Sequence, residues 1–353
     1  MPAIESTHLP RVTIILPIRN EALFIASTLV SVVEQDYPTE KLEVFVADGM
    51  STDGTREIVA GFQEQVPYLE MLDNPGQIVP TGLNAAIRQA SGEVILRVDG
   101  HTLIERDYVR QCVAALVRSN ADNVGGRMAA AGKTSFGGAV ALATSTPFGI
   151  GGARFHYSDQ EEWVDTVYLG AWPRRVFERV GLFDEELVRD QDDEFNCRLR
   201  KAGGKILLSP LIKSRYFVRS RPGALWRQYT QYGFWKVRVL QKHPRQMRPR
   251  QFAPPLFVAA LLLTGLSAPF LWFSFWLFLA LAGVYMLANL AASISTAAKH
   301  NAWRILPWLP LTYAILHLGY GTGFLAGLLR FSRRWKDRLG QAPAYQYKGR
   351  EHG

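Results

Sequence analysis

Residues 255–295 form an apolar run that contains no charged side chain and is dominated by leucine, alanine and phenylalanine. The run is about twice as long as the roughly 20 residues that one helix needs to cross a bilayer. Because lipid offers the backbone no hydrogen bonds, only helices or closed barrels are stable in that environment. Pro269, near the middle of the run, interrupts helical hydrogen bonding. We therefore predict two closely linked helices that meet near Pro269.

A second apolar segment, residues 305–329, is less regular, because it contains several glycines together with Pro307, Pro310 and His317. This composition predicts either a third crossing or a broken, interfacial or re-entrant helix. Basic clusters precede the first run and follow the second, and the positive-inside rule places each on the cytoplasmic side. The sequence thus predicts two or three membrane helices within residues 254–332 and a basic cytosolic tail at 333–353.

The charged residues are unevenly divided along the chain, whose formal net charge is +9. Residues 1–194 hold 29 of the 31 acids, whereas residues 195–353 hold 24 of the 40 Lys and Arg and only two acids, Asp337 and Glu351. Such a split indicates an acidic catalytic or binding domain followed by a segment that meets an anionic surface. Because uncharged stretches of membrane length interrupt the basic half, we expect a membrane, and no nucleic acid, as its partner.

The first residues lack both the basic start and the long apolar core of a secretory signal, so we expect the first domain to stay in the cytosol. The two cysteines, Cys112 and Cys197, match no metal-binding or redox spacing and should be ordinary reduced thiols. With the apolar segments, these features predict a multi-pass protein of the inner or cytoplasmic membrane whose catalytic domain faces the cytosol.

Strand and helix signals alternate over the first two hundred residues. The β-rich runs VTIILPI, LEVFVAD and EVILRVD are each followed by a segment whose apolar residues recur at helical spacing. This β-α-β-α-β-α order predicts an α/β fold with a doubly wound, mostly parallel sheet. Ligands bind such sheets beyond the carboxyl ends of the strands. The polar residues at those ends are therefore candidates for a site: Asn20, Glu21, Asp48 and Asp99.

Two of these strand ends carry acidic motifs. Asp48, in VADGMSTDGT, stands too early to cap the next helix, and a carboxylate there can accept hydrogen bonds from a base or a ribose. Asp99, in ILRVDGHT, is followed two residues later by His101. A cation that bridges two phosphates prefers hard oxygen ligands, and Mn²⁺ also tolerates imidazole. Asp99 would therefore bind the ion, and His101 could complete its ligand shell.

A third acidic group, in RDQDDEFNCRLRK, stands just before a basic helix. One or two acids in the first turn of a helix stabilise it through the helix dipole. Four acids within five residues repel one another, which can raise the pKa of a carboxylate and suit it to act as a general base. The four are Asp190, Asp192, Asp193 and Glu194.

Four segments, in this order, resemble an inverting glycosyltransferase of family 2: TIILPIRNEALFIASTLVSVVEQDYP, VADGMSTDGTREIV, NPGQIVPTGLNAAIRQASGEVILRVDGHT and VGLFDEELVRDQDDEFNCRLRKAGGKI. The resemblance covers residues 1–215 and implies the GT-A nucleotide-diphospho-sugar transferase fold. It extends to the membrane glucosyltransferases of succinoglycan-type exopolysaccharide assembly, which also carry apolar C-terminal segments. It implies a metal-dependent hexosyltransferase that uses Mn²⁺ or Mg²⁺ and a nucleotide-sugar such as UDP-glucose.

The resemblance also implies roles at the matching positions. The residues that bind the nucleotide-sugar would be Pro17, Asn20, Glu21, Asp48, Asn74, Gly82, Asn84 and Asp99. Asp48 would read the uracil, and the metal ligands would be Asp99 and His101. Asp192 would be the catalytic base. Asp193 or Glu194 would either hold acceptor hydroxyls or stabilise the start of the helix.

Three features depart from the wider family pattern. His101 replaces the usual second Asp of the metal motif, and Gln191 replaces the usual Glu before the base. The Gln-x-x-Arg-Trp motif of processive synthases is absent, so we expect transfer of one sugar per encounter. Residues 216–253 are instead basic and rich in aromatics, which is typical of an amphipathic helix that either packs on protein or lies at headgroup depth. There Arg221 and Arg227 would meet the phosphates of a lipid-linked polyprenyl acceptor.

Other classes of protein fit less well. A dinucleotide oxidoreductase needs G-x-G-x-x-G after its first strand, where this chain has PIRNEALF. The near match GTGFLAG lies in an apolar segment and predicts close helix packing instead. A catalytically inactive scaffold is disfavoured by the intact acids Asp48, Asp99 and Asp192. Within the transferases, the alternative acceptor is polyprenyl phosphate, which is already ionised near neutral pH and needs no base.

Overall fold

The computed structural model describes residues 9–335 and 342–347. The chain divides into two compact units. The described parts of the first, which we call the sheet unit, lie within Met1–Ala129, Tyr157–Tyr216 and Gly340–Gly353. The described parts of the second, which we call the helical unit, lie within Ala130–His156 and Phe217–Leu339.

This division differs from the predicted boundaries in two places. Residues 130–156 fall inside the predicted domain 1–215 but group with the apolar helices. The described part of the tail, residues 342–347, groups with the sheet unit, so the chain leaves that unit after residue 216 and returns to it.

Four parallel strands form one half of the sheet, in the spatial order β3-β2-β1-β4. They are β1 Val12–Ile18, β2 Leu42–Asp48, β3 Leu69–Asp73 and β4 Val94–Arg97. β1 and β2 are buried along their whole length, which explains their nearly continuous apolar sequence. The sequence patterns do not predict β3, because LEMLD is short and half polar.

Five further strands make the sheet mixed: β5 Thr102–Ile104, β6 Asn123–Ala131, β7 Glu162–Trp163, β8 Tyr168–Pro173 and β9 Ile206–Phe217. The order continues from β4 through β8, β6 and β9 to β5, and β7 pairs with β9. β8 joins β4 antiparallel, and the pairs β6–β8, β5–β9 and β7–β9 are also antiparallel. The prediction of a mostly parallel sheet therefore holds only for the first half, since alternation in sequence does not set the direction in which a later strand joins.

Helices are numbered along the whole chain. Those of the sheet unit are α1 Ile25–Val33, α2 Thr55–Gln63, α3 Val79–Gln89, α4 Tyr108–Ser119, α7 Arg175–Val180 and α8 Gln191–Lys201. Those of the helical unit are α5 Ser135–Thr144, α6 Pro147–Ile150, α9 Pro222–Lys242, α10 Ala253–Ser267, α11 Trp272–Lys299 and α12 Leu309–Arg330. In the sheet unit, apolar side chains of α1 and α4 pack against β1, β2 and β4. Together they form the core that fixes the positions of the strand ends.

The long apolar run folds as predicted into two helices, because α10 ends at Ser267 and α11 begins at Trp272, with Pro269 between them. Among the described residues, α11 is the one helix that is both long and apolar enough to cross a membrane. Its large side chains are exposed, and Trp272 is 76% and Phe273 65% exposed. Two or three crossings remain a prediction.

Glycines bring α9 and α12 into backbone contact. A Cβ added to Gly323 on α12 would lie 2.0 Å from the carbonyl oxygen of Thr230, and one added to Gly233 on α9 would lie 1.9 Å from that of Tyr320. Helices approach this closely only where small residues face each other. The prediction that GTGFLAG packs helices is therefore confirmed. One face of α9 packs on protein, and its position at headgroup depth stays a prediction.

The described tail residues bind within the sheet unit. Tyr345 is buried, and its hydroxyl donates to the carbonyl oxygen of Ile87 at 3.3 Å. The carbonyl oxygen of Pro343 accepts from the backbone N–H of Leu182 at 2.8 Å. These contacts fasten the tail beside the segment that leads to α8.

Candidate active site

Asp48 is the last residue of β2, and its side chain is buried. The carboxylate accepts from the backbone N–H of Ser51 at 3.0 Å and from the Ser51 hydroxyl. Arg56, in the first turn of α2, donates to Asp48 at 2.7 Å and to Asp73 at 2.7 Å. If Asp48 binds the uracil of the nucleotide, its carboxylate must accept hydrogen bonds from the uracil as well as from Ser51 and Arg56.

Asn20 and Glu21 follow β1 and bind the loop after β2. Asn20 has a left-handed backbone with a φ of 55°, which asparagine tolerates. Its backbone N–H donates to the Ser51 hydroxyl at 2.8 Å, and its side-chain oxygen accepts from the N–H of Thr52 at 2.9 Å. The backbone N–H of Glu21 donates to the Thr55 hydroxyl at 2.8 Å. These bonds hold two neighbouring strand ends together.

Three of the predicted nucleotide-binding positions lie within the scaffold. Pro17 is part of the buried strand β1. The Asn74 amide donates to the carbonyl oxygen of Ile78 at 2.9 Å and accepts from the Thr81 hydroxyl at 2.8 Å. A Cβ on Gly82 would lie 2.9 Å from the Asn74 amide nitrogen, so glycine lets α3 approach this turn. A direct contact between these residues and a nucleotide stays a prediction.

Asn84, another predicted nucleotide-binding residue, bridges α3 to the segment that leads to α8. Its buried amide nitrogen donates to the carbonyl oxygen of Phe183 at 2.8 Å and to the Glu185 carboxylate at 2.8 Å. Its side-chain oxygen accepts from the N–H of Phe183 at 2.9 Å. In this structure Asn84 therefore fixes the backbone that precedes the candidate base.

Asp99 lies just beyond the end of β4 and is held by Arg97. Nε of Arg97 donates to Oδ1 of Asp99 at 2.8 Å, and Nη2 lies 2.8 Å from the same oxygen in an ion pair. The Arg97 side chain is 8% exposed and that of Asp99 is 18% exposed. The pair occupies one oxygen of the carboxylate and fixes its orientation, which leaves Oδ2 as the oxygen for an ion.

His101 is paired with Glu21. Its Nδ1 atom lies 2.9 Å from Oε1 of Glu21, and both side chains are largely buried. The imidazole also packs edge-on against the ring of Tyr216, with centroids 5.1 Å apart. The carboxylate accepts the Nδ1 hydrogen, so the lone pair of the neutral imidazole lies on Nε2.

The candidate base, Asp192, lies in the first turn of α8 and is partly exposed, as is Asp193. The residue before α8, Asp190, has a left-handed backbone with a φ of 60°. Glu194 is buried and accepts from Arg198 at 3.0 and 2.9 Å. This pairing favours the helix-stabilising alternative for Glu194, whereas a role of Asp193 toward the acceptor stays a prediction.

Arg97 connects two acids that are far apart in the sequence, Asp99 and Asp192. Burial alone lowers the pKa of the Arg97 guanidinium, but the charges of Asp99 and Asp192 outweigh that effect and raise the pKa above its usual value. Such an effect requires both carboxylates to lie near the guanidinium, because Coulomb energies fall with distance. Asp192 therefore lies within electrostatic range of the guanidinium that binds Asp99, and a shared site for the two acids stays a prediction.

Sequence reasoning missed three arginines that organise this region: Arg56, Arg97 and Arg198. Arg97 could have been found, because a charged residue inside an apolar strand is almost always paired when it is buried. Arg56 and Arg198 lie on polar helix faces, where their pairing with a buried acid leaves no signal in the sequence. Arg221 and Arg227 are exposed at the start of α9 in the helical unit, and their role toward an acceptor stays a prediction.

The end of β4 fits a divalent cation. Asp99 and His101 offer a carboxylate oxygen and an imidazole nitrogen two residues apart, and Mn²⁺ accepts such a mixture of oxygen and nitrogen ligands. Within residues 9–335 and 342–347, no group of three or more His, Cys, Asp and Glu side chains is placed to hold a metal. An ion bound here would take its other ligands from substrate phosphates and water, as Mg²⁺ commonly does.

A parallel half-sheet with acids at its strand ends, completed by antiparallel strands, defines a GT-A-like fold. The structure resembles that described as "Mannosyltransferase PcManGT from Pyrobaculum calidifontis in complex with GDP-Man and Mn2+", with a TM-score of 0.57 and 23% identity. The match covers 90% of this chain and 88% of that one, and at this identity it shows the fold alone.

The model of glycosyl transferase family 2 matches residues 13–181. Residues 13–181 therefore form a family 2 glycosyltransferase domain.

Two relatives match nearly the whole chain. The "Succinoglycan biosynthesis protein ExoA" of Rhizobium meliloti (strain 1021) is 29% identical over 91% of this chain and 96% of the relative. The "Dolichyl N-acetyl-alpha-D-glucosaminyl phosphate 3-beta-D-2,3-diacetamido-2,3-dideoxy-beta-D-glucuronosyltransferase" of Methanococcus voltae is 25% identical over 92% of this chain and 99% of the relative. The similarity therefore extends beyond the family domain into the apolar helices.

Proposed function

We propose that this glycosyltransferase is membrane-bound and inverting. It transfers one sugar from a nucleotide-sugar, UDP-glucose or a similar donor, to a hydroxyl group of a lipid-linked oligosaccharide in the synthesis of a cell-surface polysaccharide. The observation that carries the proposal is the ion pair of buried Arg97 with Asp99, together with the charge of Asp192, which also acts on Arg97. Asp99 is suited to bind a metal ion with the diphosphate, and Asp192 is suited to act as a general base, so the two acids have the roles that this reaction needs.

The reaction follows from the roles of these acids. Asp192 takes the proton of the acceptor hydroxyl as the acceptor oxygen forms a bond to the anomeric carbon. The bond from that carbon to the diphosphate oxygen breaks on the opposite side, and the electron pair leaves with the nucleoside diphosphate. A single displacement from the opposite side inverts the anomeric configuration. Arg97 keeps Asp99 in a fixed orientation throughout.

Asp99 and His101 would hold Mn²⁺ or Mg²⁺ together with the diphosphate. When bound, the ion neutralises the negative charge that grows on the leaving group. Asn20, Asp48 and their loop partners form the neighbouring strand ends, where the nucleoside would bind, as in other open α/β sheets.

A hydroxyl acceptor is favoured over polyprenyl phosphate by the retained acid at the start of α8. A phosphate is already ionised near neutral pH and has no proton that a base must remove. The name of the Methanococcus voltae relative, which describes transfer to a sugar carried on a dolichyl phosphate, supports a lipid-linked sugar as the acceptor class.

The tail supports an even number of membrane crossings. The chain leaves the sheet unit after residue 216, and residues 342–347 lie in that same unit again. A cytosolic sheet unit therefore requires an even number of crossings between these points. With α11 as one crossing, we propose two, which makes the protein multi-pass with its catalytic unit in the cytosol.

A donor and acceptor screen tests the function. Purified full-length protein in detergent receives each UDP- and GDP-sugar with a lipid-linked oligosaccharide or with polyprenyl phosphate, with and without Mn²⁺ or Mg²⁺. We expect transfer to the oligosaccharide with one donor and a divalent ion. Failure to hydrolyse or transfer any donor would indicate an inactive scaffold and overturn the proposal.

A matched pair of variants tests the base. Asp192→Asn should abolish transfer while nucleotide-sugar binding persists, because the amide cannot take a proton. Asp193→Asn, the same change one residue further on, leaves the proposed base in place and should keep most of kcat, with any loss confined to the KM for the acceptor. Turnover that survives in Asp192→Asn would favour the phosphate acceptor.

A further inference from the structure

We infer that Glu21 is a positioning residue for the metal site and not a nucleotide contact. Its carboxylate fixes the ring orientation and tautomer of His101, so that Nε2 is presented to a divalent cation beside Asp99. The inference rests on the proposed function, because it concerns the ion at the end of β4. It assigns to Glu21 a role different from the nucleotide binding that the family resemblance implies.

The contact between the two side chains has the geometry of a metal-site support. Oε1 of Glu21 lies 2.9 Å from Nδ1 of His101, with the side chains 19% and 15% exposed. Metal-bound histidines usually donate their second ring N–H to a carboxylate or carbonyl, which fixes the ring and makes it a stronger ligand. Glu21 occupies that place before any ion is bound.

Gly100 makes room for this arrangement. A Cβ at Gly100 would lie 3.0 Å from Cγ of Glu21 and 2.9 Å from Cγ2 of Ile18. A residue larger than glycine at this position would therefore crowd the Glu21 side chain. The carbonyl oxygen of Gly100 accepts from the buried Thr28 hydroxyl at 3.0 Å. The turn that carries His101 is therefore fixed from α1 as well as from Glu21.

The backbone of Glu21 is anchored independently of His101. Its N–H donates to the Thr55 hydroxyl at 2.8 Å, and that hydroxyl in turn donates to Asp53. The N–H of the next residue, Ala22, donates to the same Asp53 carboxylate at 3.2 Å. Because α2 thus holds the main chain, loss of the Glu21 carboxylate should free the imidazole without displacing the loop.

The side chain of His101 has a second constraint on its other side, the ring of Tyr216 at 5.1 Å. An edge-on aromatic contact limits tilt but does not select which ring nitrogen carries the hydrogen. Glu21 makes that selection, since an ionised carboxylate only accepts hydrogen bonds. We therefore expect loss of Glu21 to weaken ion binding rather than to remove the ring from the site.

The test measures Mn²⁺ binding directly, by electron paramagnetic resonance on the purified full-length protein, in the presence of saturating UDP or GDP, whichever the protein binds. Glu21→Ala should weaken Mn²⁺ binding by about 10–100-fold, the usual effect of removing such a support. Glu21→Gln should weaken it less, because its amide oxygen still accepts from Nδ1. Asp36→Asn, an acid-to-amide change in an exposed ion pair with Arg110, is the control and should bind Mn²⁺ like the wild type.

Nucleotide binding without metal separates positioning from direct contact. Calorimetric titration of UDP or GDP in the presence of a chelator should give the same affinity for Glu21→Ala and the wild type. Equal Mn²⁺ binding by the two proteins, or an equal loss of nucleotide binding with and without metal, would overturn the assignment of Glu21. If the wild type itself takes up no Mn²⁺ with nucleotide, the metal in the proposed function fails, and the assignment of Glu21 fails with it.

Discussion

Nε of Arg97 donates to Oδ1 of Asp99 at 2.8 Å, and Nη2 of the same guanidinium forms an ion pair with that oxygen, also at 2.8 Å. The two residues are two positions apart where the chain leaves β4, so their side chains can point to the same side of the sheet. The charge of Asp192 also contributes to the raised pKa of the Arg97 guanidinium. A single buried cation thus orients the carboxylate of the proposed metal ligand and lies within electrostatic range of the proposed base.

Replacement of Arg97 should disturb the site more than its charge alone suggests. Arg97→Lys keeps the positive charge but loses the planar guanidinium whose Nε and Nη2 contact Asp99, since an ammonium is a compact point charge. We expect kcat to fall roughly 10–100-fold, as for other residues that orient a metal ligand. Steady-state kinetics with the donor identified in the screen measure this. A variant with unchanged kcat would contradict the role of Arg97.

Glu194 should matter for stability and not for chemistry. Glu194→Gln leaves buried Arg198 without its charged partner, and breaking a buried ion pair costs about 3–5 kcal/mol. We expect a lower midpoint of thermal unfolding but near-normal transfer at low temperature. The double variant Glu194→Leu with Arg198→Met should recover much of the stability, because it removes both charges together. A large loss of kcat at unchanged stability would instead support the alternative that Glu194 holds acceptor hydroxyls.

The tail should stabilise the sheet unit through Tyr345. Tyr345→Ala removes a buried aromatic ring, a change that costs about 3–5 kcal/mol for comparable residues. Tyr345→Phe is the matched control, because it loses only the 3.3 Å hydrogen bond to Ile87, worth about 1 kcal/mol. Thermal unfolding and limited proteolysis near Leu182 should separate the two. Equal behaviour of both variants would show that the tail is dispensable.

The close packing of α9 and α12 can be tested with one methyl group. Gly323→Ala places a Cβ 2.0 Å from the carbonyl oxygen of Thr230, so the helices must separate. Gly283→Ala, inside α11, is the control, because a Cβ there meets nothing within 4 Å and alanine favours the helix by about 1 kcal/mol. Thermal unfolding in detergent should show a loss for the first variant and no loss for the second.

The proposed two crossings predict on which side of the membrane each turn lies. Single cysteines at the α10–α11 turn, as Phe270→Cys, and at the α11–α12 turn, as Trp303→Cys, should react differently with an impermeant maleimide applied to intact cells. One of the two should be labelled, and a cysteine in the tail should not. The native thiols give little background, because Cys112 and Cys197 are buried and burial raises the pKa of the Cys112 thiol. A labelled tail would contradict two crossings.

The first strands, the break at Pro269 and the close helix packing at GTGFLAG could all be predicted from the sequence. Each rests on a local property: continuous apolar runs, a missing backbone donor, or residues without a side chain. The antiparallel half of the sheet could not be predicted, because the partner and direction of β8 depend on contacts with β4, which lies far earlier in the chain.

The sequence by itself determined which residue types stand at the strand ends and that an acidic cluster opens α8, since both follow from local order along the chain. Only the tertiary structure decided how these residues are used. It pairs Arg97 with Asp99 within electrostatic range of Asp192, bonds the Asn84 amide to the backbone of Phe183 and pairs Glu21 with His101. Such pairings join residues up to about a hundred positions apart. Their energies depend on distance and burial, and a linear sequence records neither.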